Sequence, residues 1–493
     1  MRRWLSDWRA GAILLLSGLA AASPAAAHGL GQRYDLPLPL SLYMVGAGAT
    51  VALSFVMAVF FLRTATTSHD YPRLTLSGSA ALRAGAGVVA NLLKALAVAL
   101  FVLIVAAGFF GEQSPMRNIL PIVVWVVWWV GIAFASALVG DVYRFANPWD
   151  TIYGWIERTR EKLRSERLAY PAWLGVWPSF VLLLGFAWME LVWNGRDVPA
   201  LLATAVLAYS ALTWTGMFVF GRETWRTHGE MFAVVFGLLA RFAPLRIADA
   251  RNEGIELRPY AVGLLEEQPM APSMVALVVL FLATVTFDGF LETPLWAEVD
   301  WRILNSPADA FIWTVLDLGE IQALRIARTL GLALFVAVFL GVYFQFCRLM
   351  SAATGGVGGD ASALSRRFAL SLVPIAVAYH IAHYFSFLAL GLQQAIALIS
   401  DPLGRGWDLF GGAAYQVDLG LVGPRMQWYV AVTAVVIGHI LAVYLAHVTA
   451  LGVFRDRRAA LRSQIPMLAL MVGYTMLSLW ILSQPIVETS ARG

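Results

Sequence analysis

The chain reads as an all-α, polytopic membrane helix bundle of about ten transmembrane helices behind a cleaved signal peptide, and three observations predict this. Of its 493 residues, 59% are apolar and only 13% charged, about half the charged share of an ordinary soluble domain. Apolar stretches of about 20 residues recur along the whole length, and each suffices at about 1.5 Å per residue to cross about 30 Å of hydrocarbon. Arginines collect in alternate connecting segments, the pattern that orients a multi-pass chain. A soluble enzyme and a disordered chain are both excluded.

The start, Met1-Arg2-Arg3-Trp4, then an apolar stretch from Ala12 to Ala22, then Ala25-Ala26-Ala27, has the three parts of a secretory signal. Residues 1–27 are expected to be removed, leaving His28 at the N-terminus of a single membrane domain, 28–493. Spans are expected at 40–62, 84–110, 119–140, 173–193, 198–220, 272–293, 326–350, 367–392, 426–452 and 465–484. Arg63, Arg73 and Arg83 follow the first span, Arg144 to Arg167 the third, Arg222 to Arg258 the fifth, Arg348, Arg366 and Arg367 the seventh, and Arg455 to Arg462 the ninth. The intervening segments hold fewer, such as Arg117, Arg196, Arg302 and Arg405. Positive loops stay in the cytoplasm, so the expected place is a bacterial inner membrane with the mature N-terminus and the C-terminus periplasmic. Two inner loops exceed connectors: Asp141 to Leu168 suits a helix lying on the inner surface, and Gly229 to Phe242 is apolar enough for a re-entrant or interfacial helix. The glycine-rich run 355–360 reads as a flexible linker. No sequence repeat relates the two halves.

The formal charge of +4 is dispersed over short loops, which argues against nucleic acid as a partner. The partners expected are the lipid bilayer and a small lipophilic molecule, and a partner membrane subunit is left open. The single Cys347 excludes an intrachain disulfide and any cysteine-based metal site, so a metal would use His, Asp or Glu.

Histidines mark the chemistry, because ionisable groups inside a membrane are costly and usually functional. His380 and His383 lie in the eighth span and His439 and His447 in the ninth. A spacing of three puts His380 and His383 on neighbouring positions of one helix face, where both can grip one ion. Pro374 is expected to loosen that helix locally. Counted from the inner ends of their spans, His380 lies ~18 Å deep, His383 ~22 Å, His439 ~21 Å and His447 only ~9 Å. The first three share a level, and His447 is expected in a supporting, proton-path or headgroup role. Asp288 at ~24 Å and Glu190 at ~25 Å come close to the same level, with Glu292 nearer the outer surface. A carboxylate beside three imidazoles suits zinc, iron or manganese with an open water position. His380, His383, His439 and Asp288 are therefore the expected metal ligands, and Asp288, Glu190 and His447 the expected catalytic groups. The bland alternative is that each histidine bonds a neighbouring carbonyl or hydroxyl, with Tyr379, Tyr384 and Tyr444 at hand. Asn91 and Lys94 could also reach the site, Glu230 reads as favouring the start of the re-entrant helix, and His28 reads only weakly as a copper ligand.

Three strings carry a resemblance: His28-Gly29-Leu30-Gly31-Gln32-Arg33-Tyr34-Asp35-Leu36-Pro37-Leu38-Pro39-Leu40, the segment Gly221 to Pro244 with its Gly-Arg-Glu-Thr-Trp and Gly-Glu-Met-Phe, and Tyr379-His380-Ile381-Ala382-His383-Tyr384. They resemble bacterial membrane proteins known as fenitrothion hydrolases. The resemblance implies hydrolysis of an organophosphorus triester with release of a nitrophenol. A metal that polarises the phosphoryl group and activates water would suit that chemistry. Two other functions suit the same residues: a transporter or channel in which the buried His and Asp bind a metal ion or relay protons, and a redox protein with haem between His380 or His383 and His439.

Overall fold

The computed structural model describes residues 36–62, 64, 66–76, 80–159, 167–247, 255–265, 269–305 and 319–484. The expected signal peptide and His28 lie outside them. Among the described residues ten helices are long and apolar enough to cross a membrane, and the chain is an all-α multi-pass membrane bundle. The spanning helices are α1 (Leu40–Phe61), α2 (Ala80–Phe110), α3 (Ile119–Leu138), α5 (Trp177–Leu191), α6 (Pro199–Phe220), α9 (Pro272–Leu291), α11 (Glu320–Ala353), α13 (Val373–Ser400), α14 (Pro424–Val453) and α15 (Arg457–Ser483). Between them lie α4 (Pro148–Thr159), α7 (Arg222–His228), α8 (Met231–Ala240), α10 (Pro294–Asn305) and α12 (Ala361–Phe368).

Ten alternating spans put Leu40 and Ser483 at one face, the terminal face, and the arginine-rich connections at the other, the basic face. Hydrogen bonds between distant connections agree with this alternation. On the terminal face Glu112 N donates to Leu403 O at 2.8 Å. On the basic face Leu168 N donates to Val219 O and Met270 N to Arg366 O, both at 2.9 Å. A small antiparallel sheet also sits there, with β1 (Leu74–Leu76) and β2 (Leu245–Ile247) flanking β3 (Ile255–Leu257).

The central element is α9, buried on nearly every side and packed against α5, α11 and α13. Lipid tails are as apolar as leucine, so such helices are held by close packing rather than by hydrophobic burial. Gly438 shows this. A Cβ built there would lie 2.3 Å from Ala378 Cβ and 2.7 Å from Pro374 O, so α13 and α14 approach almost backbone to backbone. At the edge α2 pairs with α6 and leaves most of its apolar surface uncovered, as a lipid-facing helix does.

Both special loops of the basic face contain helices. Helix α4 buries Trp149, Asp150 and Tyr153, and Arg222 grips Asp150 through Nε and Nη2 at 2.8 and 2.7 Å, a bidentate pair that ties α4 to α7. Helix α8 enters the bundle and is enclosed by α3, α5 and α7. The unpaired N–H groups of its buried first turn are satisfied by Glu230, which accepts from Phe232 N and Ala233 N at 3.2 and 2.8 Å. The fully buried carboxylate also accepts from Tyr209 Oη at 2.5 Å and Asn147 Nδ2 at 3.1 Å, so a re-entrant helix start is fed by side-chain hydrogen bonds instead of water.

Pro374 is placed differently from expectation. A 3-10 turn, Ala369–Leu372, ends α12, and α13 begins at Val373 with Pro374 in its first turn. There the missing N–H costs nothing, so the helix starts at the proline rather than being loosened by it.

Candidate functional site

Helix α13 carries the histidine string past the centre of the bundle, and its rotation per residue separates the two rings. Three residues along a helix turn the direction by about 60° from eclipsed. His383 faces α9, where its Nε2–H donates to Asp288 Oδ2 at 2.9 Å. Tyr384 donates its hydroxyl to the same oxygen at 2.6 Å and reaches Glu190 Oε1 of α5 at 3.4 Å. Of the two carboxylates that depth counting brings near the histidine level, Asp288 thus meets His383 directly and Glu190 joins the pair through Tyr384.

The other expected ligands are placed elsewhere. His380, 2% exposed, sits among aromatic rings, with centroids 5.9 Å from Trp129, 5.7 Å from Phe134 and 5.8 Å from Phe281, and neither of its nitrogens has a hydrogen-bond partner among the described residues. His439 commits Nδ1 to its own helix at Val435 O, 2.8 Å away, and packs beside Tyr474 of α15. His447 lies nearer the basic face, with Nδ1 on Gln464 Oε1 at 2.8 Å and Nε2 on Leu62 O at 3.2 Å, where it links α1, α14 and α15. The three rings therefore have separate surroundings: His383 meets Asp288, His380 sits among Trp129, Phe134 and Phe281, and His439 packs beside Tyr474.

A shared divalent ion would require its donors to converge on one point. Among the described residues no three His, Cys, Asp or Glu side chains are so gathered. His383 and Asp288 meet at hydrogen-bond distance, and His380 and His439 are not part of that cluster. The set His380, His383, His439 and Asp288 is not gathered around one point among the described residues.

The cluster opens into a polar cavity of about 430 Å³ lined by Glu190, Arg196, Asp197, Asp288, Glu292 and His383, with Trp125 and Phe387 among its apolar walls. Burial raises the Glu292 carboxyl above its ordinary range; Asp288 adds to the shift and His383 opposes it. Arg196 closes the rim, its guanidinium donating to Glu190 O and its own carbonyl accepting from Trp125 Nε1 at 3.1 Å. On the inner side, a Cβ built at Gly289 would come within 2.7 Å of Tyr379 Oη and 3.6 Å of His383 Nδ1. The Tyr379 hydroxyl is buried without a partner among the described residues, and the same Cβ would lie 2.9 Å from Ile481 Cγ2, so the glycine lets Tyr379 and Ile481 close tightly on α9 beside His383.

Sequence reasoning missed Tyr384 as the bridge, Gly289 as the close contact, and the wall built by α3. From Ile122 to Gly131 this helix is π-helical, a rare geometry that alters side-chain directions and concentrates at functional sites. Trp125 faces the polar cavity, Trp129 packs on His380 and Phe186, and Trp128 faces a second, apolar cavity. The tryptophans at 125, 128 and 129 were a visible signal; the wider helical turn has none. No protein-family model matches this chain, and neither a curated protein nor a solved structure matches it.

Proposed function

We propose that this chain is a membrane-embedded hydrolase of lipophilic phosphotriesters, in a bacterial inner membrane with the terminal face periplasmic. The supporting observation is the His383–Asp288 pair, oriented by Tyr384 and set in the wall of a polar cavity. The bond to Asp288 assigns the proton of His383 to Nε2 and leaves Nδ1 as the base. Water in the polar cavity loses its proton to Nδ1 as its oxygen attacks phosphorus. A P–O bond forms, the P–O(aryl) bond breaks, and the aryloxide leaves as a stable anion. Asp288 stabilises the imidazolium that results, and the Arg196 guanidinium on the cavity wall faces the developing charge.

The test is release of nitrophenol from an aryl phosphotriester by the purified protein in lipid nanodiscs. His383→Ala and Asp288→Asn are expected to lower kcat by about 10²-fold or more, and Gly289→Ala, whose Cβ would press on the Tyr379 hydroxyl and Ile481, to lower it by disturbing the α9–α13 contact that positions His383. Unchanged turnover in all three refutes the reading, and loss of a bound metal in His383→Ala would replace the imidazole base with metal-bound hydroxide. A proton-coupled transporter is the second reading, favoured by Glu230, a second buried carboxylate on the basic-face side of the Trp129–Phe236 ring pair. Substrate-driven proton flux in liposomes without nitrophenol release would select it.

A further inference from the structure

Helices α5 and α6 are consecutive in the chain yet do not pack along one another: α5 rests on α9 and α8, and α6 on α2 and α7. The gap between them is a cavity of about 500 Å³, within the range of sites for drug-sized ligands. Its walls come from α2, α3, α5 and α6, and α8 with Trp149 forms its floor. Two lining residues, Val181 of α5 and Leu212 of α6, are 63% and 45% exposed on the outer surface of the bundle. The cavity therefore opens sideways, at the depth of the acyl chains.

Charge and continuity identify what it takes. No charged side chain lines it, and the one phenol, Tyr209, spends its hydroxyl on Glu230. An ion or a lipid headgroup would find no counter-charge there. Trp128 and Phe186 add aromatic faces to the lining, which suit a neutral aromatic group. The inner wall is two rings thick: Phe186 lines this cavity, Trp125 lines the polar one, and their centroids are 5.4 Å apart. One helical turn beyond Phe186 on α5 comes Glu190, already in the polar cavity.

The geometry points to an intramembrane vestibule between α5 and α6 that takes neutral lipophilic aryl esters from the acyl-chain layer and passes them to the His383–Asp288 site, with Phe186 against Trp125 as the gate. This rests on the hydrolase reading for its second half, and its binding half stands without it. Water-soluble esters reach the polar cavity from the terminal face and bypass the vestibule.

Gly185 permits a clean test, since a Cβ built there meets nothing within 4 Å. In Gly185→Phe, with Gly185→Leu as the milder substitute should the larger one fail to fold, the vestibule is filled from its own wall. In nanodiscs, kcat/KM for a long-chain dialkyl nitrophenyl phosphate is expected to fall about 10-fold or more, while that for a short, water-soluble nitrophenyl ester stays within about 2-fold. Equal values for wild type and variant on both esters, or an equal fall on both, overturns the proposal. If no ester is hydrolysed by the wild type, the hydrolase reading fails and binding decides. Quenching of tryptophan fluorescence by the long-chain nitroaromatic ester, present in the wild type and lost in Gly185→Phe, supports the vestibule, and quenching retained in the variant overturns it.

Discussion

Asp288 Oδ2 accepts from both His383 and Tyr384, so one carboxylate fixes the tautomer of the imidazole and the direction of the phenol. That economy matters inside a membrane, where each unpaired polar atom is costly. Glu292, at the end of α9 and beyond the span, has its carboxyl raised chiefly by burial. A raised carboxyl keeps its proton to higher pH in the folded chain than in the unfolded one. Its contribution to stability is full below the ordinary carboxylate pKa and is lost as pH rises through the folded value. Between about pH 4 and about pH 7 the melting temperature of wild type is therefore expected to fall relative to that of Glu292→Gln. Parallel curves would show that the Glu292 carboxyl is not desolvated in the folded chain. The charged residues themselves were legible in the sequence, because a carboxylate or imidazole within an apolar run stands out. Gly289 and the Tyr379 hydroxyl were not, since their meaning lies in what a neighbouring helix places against them.

At the scale of elements, close crossings set the positions of those residues. The α13–α14 contact at Gly438 leaves no space for a side chain, with Ala378 Cβ and Pro374 O in the way. Gly438→Val is expected to destabilise the purified protein by about 3 kcal/mol, the upper range for overpacking, with part of the loss restored by adding Ala378→Gly. Denaturant unfolding in detergent measures both, and a neutral Gly438→Val would show that the helices separate at little cost. The crossing also explains the fate of the histidine trio. Depth counting follows the helix axis and placed His383, Asp288 and Glu190 at levels where they do meet. It carries no information on rotation, and rotation turns His380 towards Trp129 and His439 towards Tyr474. Helix α8 was readable as an apolar segment with an acidic start. That Glu230 is held by Tyr209 and Asn147 depends on a helix residue 21 positions away and on a connection 83 positions away.

For the whole molecule, one asymmetry governs orientation: arginine-rich connections, the three-stranded sheet and the α4–α7 ion pair occupy one face, while the polar cavity lies towards the other. The proposed sidedness makes Asp197 and Gly411 periplasmic and Val357 and Arg455 cytoplasmic. With Cys347 replaced by serine, single cysteines at those positions are expected to react with an impermeant maleimide in intact cells at the first pair only. The reverse pattern would invert the topology. A polar cavity near one face and an apolar cavity open to lipid beside it suit the proposed pairing of a water nucleophile with a lipophilic ester.

Composition and periodicity alone determined that this chain is a ten-span helical membrane protein, where its spans lie and which depth holds its ionisable groups, because hydrocarbon thickness and helical rise convert residue counts directly into distances. Which groups touch was decided by tertiary structure. Contact depends on helix rotation, on close glycine crossings and on the π-helical turn of α3, and these are set by many weak packing interactions between segments far apart in the chain.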